Sequence, residues 1–106
     1  MPKYLLQVSY TADGTKGLLK DGGSKRRQAA QALVESVGGR LESMYFAFGA
    51  TDVFAIIDAP DNASASAGAL AIAASGSASC TTTVLLSPEE IDQAVKKSGK
   101  YTPPGH

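Results

Sequence analysis

The chain has 106 residues, 43% of them hydrophobic and 19% charged, and its 10 Lys and Arg balance its 10 Asp and Glu. That length suits one domain with a core of its own, and the composition is globular rather than disordered. Zero net charge excludes the cationic field of a sequence-blind nucleic-acid binder, and a single Cys excludes an internal disulfide or a four-thiolate zinc site.

The amino terminus, MPKYLLQVSY, alternates apolar and polar residues instead of presenting the apolar run and small-residue cleavage site of a secretory signal. No stretch approaches the ~18 uncharged apolar residues of a membrane span, because Ala63 to Ala74 is interrupted by Ser and Gly. A free thiol without an export signal leads to the expectation of a cytoplasmic protein that engages neither membrane nor nucleic acid. Asn62-Ala63-Ser64 then matches a glycosylation sequon by chance.

Lys3 to Tyr10 has the period of two of a strand, with Tyr4, Leu6, Val8 and Tyr10 on one face. Asp13-Gly14 is expected to break it as a turn, and Lys16 to Asp21 to add a short helical turn that Gly22-Gly23 interrupts. Ser24 is the expected N-cap of a helix whose apolar stripe is Ala30, Leu33, Val34 and Val37. Gly38-Gly39 ends that helix.

Arg40 to Phe48 is a predicted second strand, with Leu41, Ser43, Tyr45 and Ala47 on one face and Glu42, Met44, Phe46 and Phe48 on the other. Gly49-Ala50 is expected to turn it into an antiparallel strand from Thr51 to Ala59. The run Val53-Phe54-Ala55-Ile56-Ile57 makes both faces of that strand apolar, which suits a central strand covered on both sides. Pro60 stops it, and Asp61 or Asn62 caps a helix to about Ser75. Its Ala/Ser/Gly bias also suits a linker, but the cap and the spacing of Ala67, Leu70, Ala71 and Ala74 favour a helix. Cys80 to Leu86 is a β-branched fourth strand. Ser87-Pro88-Glu89-Glu90 is a capping box with Pro at the first helical position, opening a short helix to about Lys97. Residues 1–98 thus form one domain, and 99–106, rich in Pro and Gly, an extended or mobile tail.

The order β-α-β-β-α-β followed by a short helix is the α+β, ferredoxin-like arrangement, a four-stranded antiparallel sheet with both main helices on one face. The other face would leave large apolar residues in water, beyond an ordinary exposed patch. Burying roughly 600–800 Å² at about 25 cal/mol/Å² contributes on the order of 15–20 kcal/mol before association costs. A homodimer paired sheet to sheet is therefore expected, and dimers can assemble further.

The stretch GGRLESMYFAFGATDVFAIIDAP, with the basic-capped helix before it and the Asp-Asn-Ala-Ser helix and Thr-rich strand after it, resembles GYD-domain proteins. The resemblance spans Lys3 to about Glu90 and implies a dimeric α+β barrel. The namesake Gly-x-Tyr-Asp turn corresponds to Gly49-Ala50-Thr51-Asp52, with Thr51 in place of the Tyr.

Candidate chemistry is sparse. Gly22-Gly23-Ser24-Lys25-Arg26-Arg27 offers backbone N–H groups and three cations to an anion, but it lacks nucleotide-loop spacing and also suits a solvated helix start. Arg26 and Arg27, with Tyr4 and Tyr45, are the candidate ligand-binding residues. Tyr10, Phe46, Phe48 and Phe54 would line the same cleft between the sheet and a partner subunit, though residues so spaced also make plain core or interface. Asp52 is the weak candidate for a catalytic base and Asp58 a weaker one, since acids beside turns often serve conformation alone. Cys80 reads as a small buried side chain and His106 as a tail residue. No residue spacing indicates a metal site, and no cofactor is expected.

Three functions fit: a module binding a small, partly apolar ligand; a cofactor-independent enzyme of monooxygenase or isomerase type using Asp, Tyr or Arg; and a structural assembly unit without a ligand. The first is favoured.

Overall fold

A computed structural model describes all 106 residues. The elements are β1 (Lys3–Tyr10), α1 (Ala12–Asp21), α2 (Gly23–Ser36), β2 (Arg40–Phe46), β3 (Val53–Asp58), α3 (Asn62–Ala74), β4 (Ala78–Leu85) and α4 (Pro88–Lys97). One four-stranded sheet has the order β2-β3-β1-β4, and every pairing is antiparallel. This is the expected ferredoxin-like α+β architecture with one added helix, α1.

That helix corrects the turn expected at Asp13-Gly14. Thr11 caps it, its Oγ1 accepting from the Gly14 N–H at 3.2 Å, with Asp13 in the first turn and Lys20 in the last to complement the helix dipole. Gly14 is there for close approach: a Cβ on it would lie 2.0 Å from the Ser77 carbonyl oxygen. The junction of α1 and α2 is Gly22, at φ +80°, a conformation that favours glycine. Gly22 rather than Ser24 is consequently the N-cap of α2, and Ser24 lies within its first turn.

The other large departure is in β2. A bulge between Leu41 and Ser43 inserts one residue, so Leu41, Met44 and Phe46 pair with Ile57, Ala55 and Val53 on one face. Ser43 and Tyr45 fall on the other face, opposite Ile56 and Phe54. The strict alternation expected from Arg40 to Phe48 fails because a bulge shifts every later side chain by one. The β2–β3 connection is also longer than a Gly49-Ala50 turn. It runs from Ala47 to Asp52 and is closed by the Ala47 N–H donating to the Asp52 carbonyl at 2.8 Å.

Helices α2 and α3 lie over one face of the sheet. The core beneath them includes Tyr4, Leu6, Val34, Ala55, Ile57 and Ala65, with Leu41, Met44 and Cys80 packed against it. Tyr4 is the largest fully buried side chain. Within this single chain β3 is covered on its helix face only. Its other face presents Phe54 and Ile56, flanked by Leu5 of β1 and Tyr45 of β2.

Helix α4 carries the expected capping box: the Ser87 Oγ accepts from the Glu90 N–H at 3.1 Å, and the Glu90 Oε1 accepts from the Ser87 N–H at 3.0 Å. It buries no residue and barely touches the other elements. With residues 99–106 beyond it, it contributes to an elongated outline of 56 × 33 × 22 Å. No helix is long and apolar enough to cross a membrane.

At one end of the sheet the Asp58 carboxylate joins three strands. It accepts from Lys3 Nζ at 2.9 Å and from Arg40 Nη2 at 2.8 Å, and Lys3 also reaches Glu42 at 3.0 Å. The Asp58 side chain is only 7% exposed. Hydrogen bonds from Lys3 and then Arg40 hold its carboxyl below the usual carboxylate range, against the opposing effect of burial.

Candidate functional site

Helices α2 and α3 do not close fully on the sheet. Between them and its covered face lies a cavity of about 400 Å³, lined by 18 residues of which 15 are hydrophobic. Leu6, Ala55 and Ile57 form part of its floor, Ala30, Leu33 and Val34 one wall, and Ala71 and Ile72 the other. The alanines explain why the space stays open. They line it from α2, β3 and α3, where longer side chains would fill the space. Protein interiors rarely hold voids much larger than a water molecule, and a concave apolar space with a few polar groups is the usual form of a ligand site.

Those polar groups are Arg26, Ser75, Ser77 and the hydroxyl of Tyr10, whose ring is one of the 15 hydrophobic contributors. The topology gathers them at one end, where β1 finishes, α2 begins, α3 finishes and β4 begins. The Ser75 Oγ donates to the Ile72 carbonyl at 2.6 Å and lies 2.7 Å from the Ser77 Oγ, so these hydroxyls are engaged with one another and with the end of α3. Arg26 is the one charged residue on the lining. Its nearest carboxylate is Asp21 at 3.7 Å, beyond hydrogen-bond range, and Lys25 lies 3.8 Å from that same carboxylate.

The residues singled out from sequence are dispersed. Arg26 lines the cavity, whereas Arg27 and Tyr45 border shallower grooves beside β2. Tyr45 is 72% exposed on the open sheet face. Tyr4 is buried in the core, where its hydroxyl donates to Asn62 Oδ1 at 2.6 Å and ties β1 to the first turn of α3. Tyr4→Phe should therefore lower unfolding free energy by about 1 kcal/mol in a urea titration through loss of that hydrogen bond, with the fold unchanged. Phe48 lies exposed in the β2–β3 loop and Phe54 on the open face, so the aromatic side chains do not gather in one cleft.

Asp52 is absent from the cavity lining. Its Oδ2 accepts from the Tyr10 N–H at 2.7 Å and its own N–H donates to the Val8 carbonyl at 2.9 Å, fixing the loop against β1. Cys80 is partly buried against the core, and burial pushes its thiol up, which disfavours the reactive thiolate. His106 is exposed at the end of the chain. No three His, Cys, Asp or Glu side chains come together as a metal site.

Tyr10, expected in a cleft with a partner subunit, instead lines this cavity, and Asp58, the weaker candidate base, forms the three-strand ion cluster; the alanine-lined walls were not expected. The small residues Ala29-Ala30 and Ala71 were the available signal for thin walls, although sequence alone does not place them opposite each other.

Fold and cavity together define a ferredoxin-like α+β domain with a half-open apolar pocket and a single cation on its lining. The chain belongs to the GYD-domain family, whose model matches residues 4–95. No curated protein and no solved structure matches it significantly.

Proposed function

We propose that this chain is a homodimeric cytoplasmic module that holds a small, largely apolar ligand between its sheet and helices α2 and α3. The observation that carries this reading is the cavity itself: about 400 Å³ with a lining dominated by hydrophobic side chains. The lining contains no carboxylate, imidazole or thiol, so acid–base chemistry there would fall to Tyr10 and Arg26 alone. That favours binding over catalysis.

What supports the dimer is the uncovered sheet face. Leu5, Ile56, Phe54 and Tyr45 lie together on it across three strands, and a second copy presenting the same face would remove them from water. The partner then completes the underside of the sheet while the ligand site stays within each chain.

N-phenyl-1-naphthylamine, an uncharged fluorescent probe, tests the site. Its emission should rise on addition of the protein and saturate near one probe per chain. Ala30→Leu, which extends a side chain into the cavity, should abolish that rise while leaving the protein folded by circular dichroism. No rise with the wild type, or undiminished binding by the filled variant, would overturn the reading. Sedimentation equilibrium at micromolar concentration tests the dimer, and a stable monomer would refute that part.

A further inference from the structure

Resting on the cavity as the ligand site, we infer that its ligand is a monoanionic amphiphile: a carboxylate joined to an apolar body of about ten to fifteen heavy atoms, with the acid held by Arg26 and the body directed toward Leu6, Ile57 and Val34.

Four observations lead there. First, the lining is polar at one end and apolar along its depth. Arg26, Tyr10, Ser75 and Ser77 all lie toward the end where β1 finishes and β4 begins, and Leu33, Val34, Leu41 and Ile57 toward the other. A ligand that is apolar throughout would leave the guanidinium without a counterpart, and one polar throughout would desolvate without partners along the walls.

Second, the charge on the lining is of one sign. Arg26 is its one ionic residue. An anionic head is favoured there, and a cationic one meets repulsion with no carboxylate on the lining to offset it.

Third, Arg26 has donors to spare. Asp21 lies 3.7 Å away, too far for a hydrogen bond, and is shared with Lys25 at 3.8 Å. A guanidinium carries five N–H donors in a fork that matches a carboxylate with two parallel bonds. The weak internal pair leaves that geometry available to a ligand.

Fourth, the size is appropriate. At ~30 Å³ per water, a space of about 400 Å³ would hold roughly a dozen waters. With the two serine hydroxyls already engaged, the walls offer those waters few partners. Displacing them with a hydrocarbon or aryl body is the favourable exchange.

The test is a displacement series against bound N-phenyl-1-naphthylamine with decanoate and 1-decanol, matched in chain length and differing in the head group. For the wild type at pH 7, decanoate should displace the probe at a concentration at least tenfold below that of 1-decanol, with the advantage shrinking as salt is raised. Arg26→Gln should erase that advantage while leaving the alcohol's affinity within about twofold. Arg26→Lys should restore part of it, and Arg27→Gln, altering the neighbouring residue outside the cavity, should leave it intact.

Equal displacement by acid and alcohol in the wild type would overturn the inference, as would an acid preference that survives in Arg26→Gln. In either case probe binding itself remains and the cavity stands as the ligand site. Absence of probe binding would instead remove the site and this inference together, so the two failures are distinguishable.

Discussion

Gly14→Ala should lower the midpoint of thermal unfolding by roughly 10–20 °C, equivalent to about 2–3 kcal/mol for a domain of this size. Helix propensity alone predicts the reverse, since Ala is better than Gly in a helix interior by about 1 kcal/mol. The decisive fact is steric. A Cβ at this position would lie 2.0 Å from the Ser77 carbonyl oxygen and 2.9 Å from the Tyr10 ring. The first obstacle is backbone and cannot move aside by changing rotamer. The Ser77 carbonyl also accepts from the Thr11 N–H at 2.9 Å and from its hydroxyl at 3.1 Å, so shifting it disturbs the contact between the start of α1 and the start of β4. Gly17 sits in the same helix, where a Cβ would meet nothing within 4 Å. Gly17→Ala, which should be neutral or stabilising, is the internal control in a calorimetric comparison.

Asp58→Asn should be the other large loss, about 1–3 kcal/mol at pH 7, because one carboxylate serves cations from two strands and is itself buried. The pH dependence identifies the cause. The folded-state pKa of Asp58 is lowered by the hydrogen bonds from Lys3 and Arg40, so its contribution is complete above the unfolded carboxylate value of about 3.9. That contribution falls away as pH drops through the lower folded value. Wild-type stability should decline on acidification below about pH 4, and Asp58→Asn should flatten that limb. Urea melts across pH 2–7 would show it. An identical acid limb in the variant would show that other carboxylates govern the decline.

The fold was readable where local chemistry and periodicity agreed. Ser87-Pro88-Glu89-Glu90 supplies both halves of a capping box, and the helix begins there as expected. Lys3 to Tyr10 alternates and is a strand with those bounds. Asp61 caps α3, with its carboxyl held below the usual range by hydrogen bonding to Ser64.

Elsewhere the local signal pointed to more than one conformation, and distant contacts decided. Asp13-Gly14 has turn chemistry, yet Thr11 caps a helix there and the glycine admits the Ser77 carbonyl. In β2 apolar residues occupy both alternating sets, so the sequence contains no mark of the bulge that puts Leu41 and Met44 on one face.

The site was legible only in part. Arg26 stood out through its charge, but its position on the lining depends on how α2 lies over the sheet. Tyr4 and Tyr45, both tyrosines on strands, have opposite surroundings because Tyr4 lies on the helix-covered face of the sheet and Tyr45 on its open face. The volume between the layers is a difference among many side-chain lengths, and no single residue encodes it.

The end of the molecule marked by Asp58 also ties the helices to the sheet. At that end the Tyr4 hydroxyl fastens the start of α3, and Gly39, in the short connection from α2 to β2, is packed so closely that a Cβ on it would lie 2.3 Å from the Asp58 carbonyl oxygen and 3.0 Å from the Val34 side chain of α2. Both helices are thus secured where the ion cluster binds the strands together. Arg26 lies at their far ends. The polar end of the cavity, with Arg26, Tyr10, Ser75 and Ser77, is therefore the end remote from these ties.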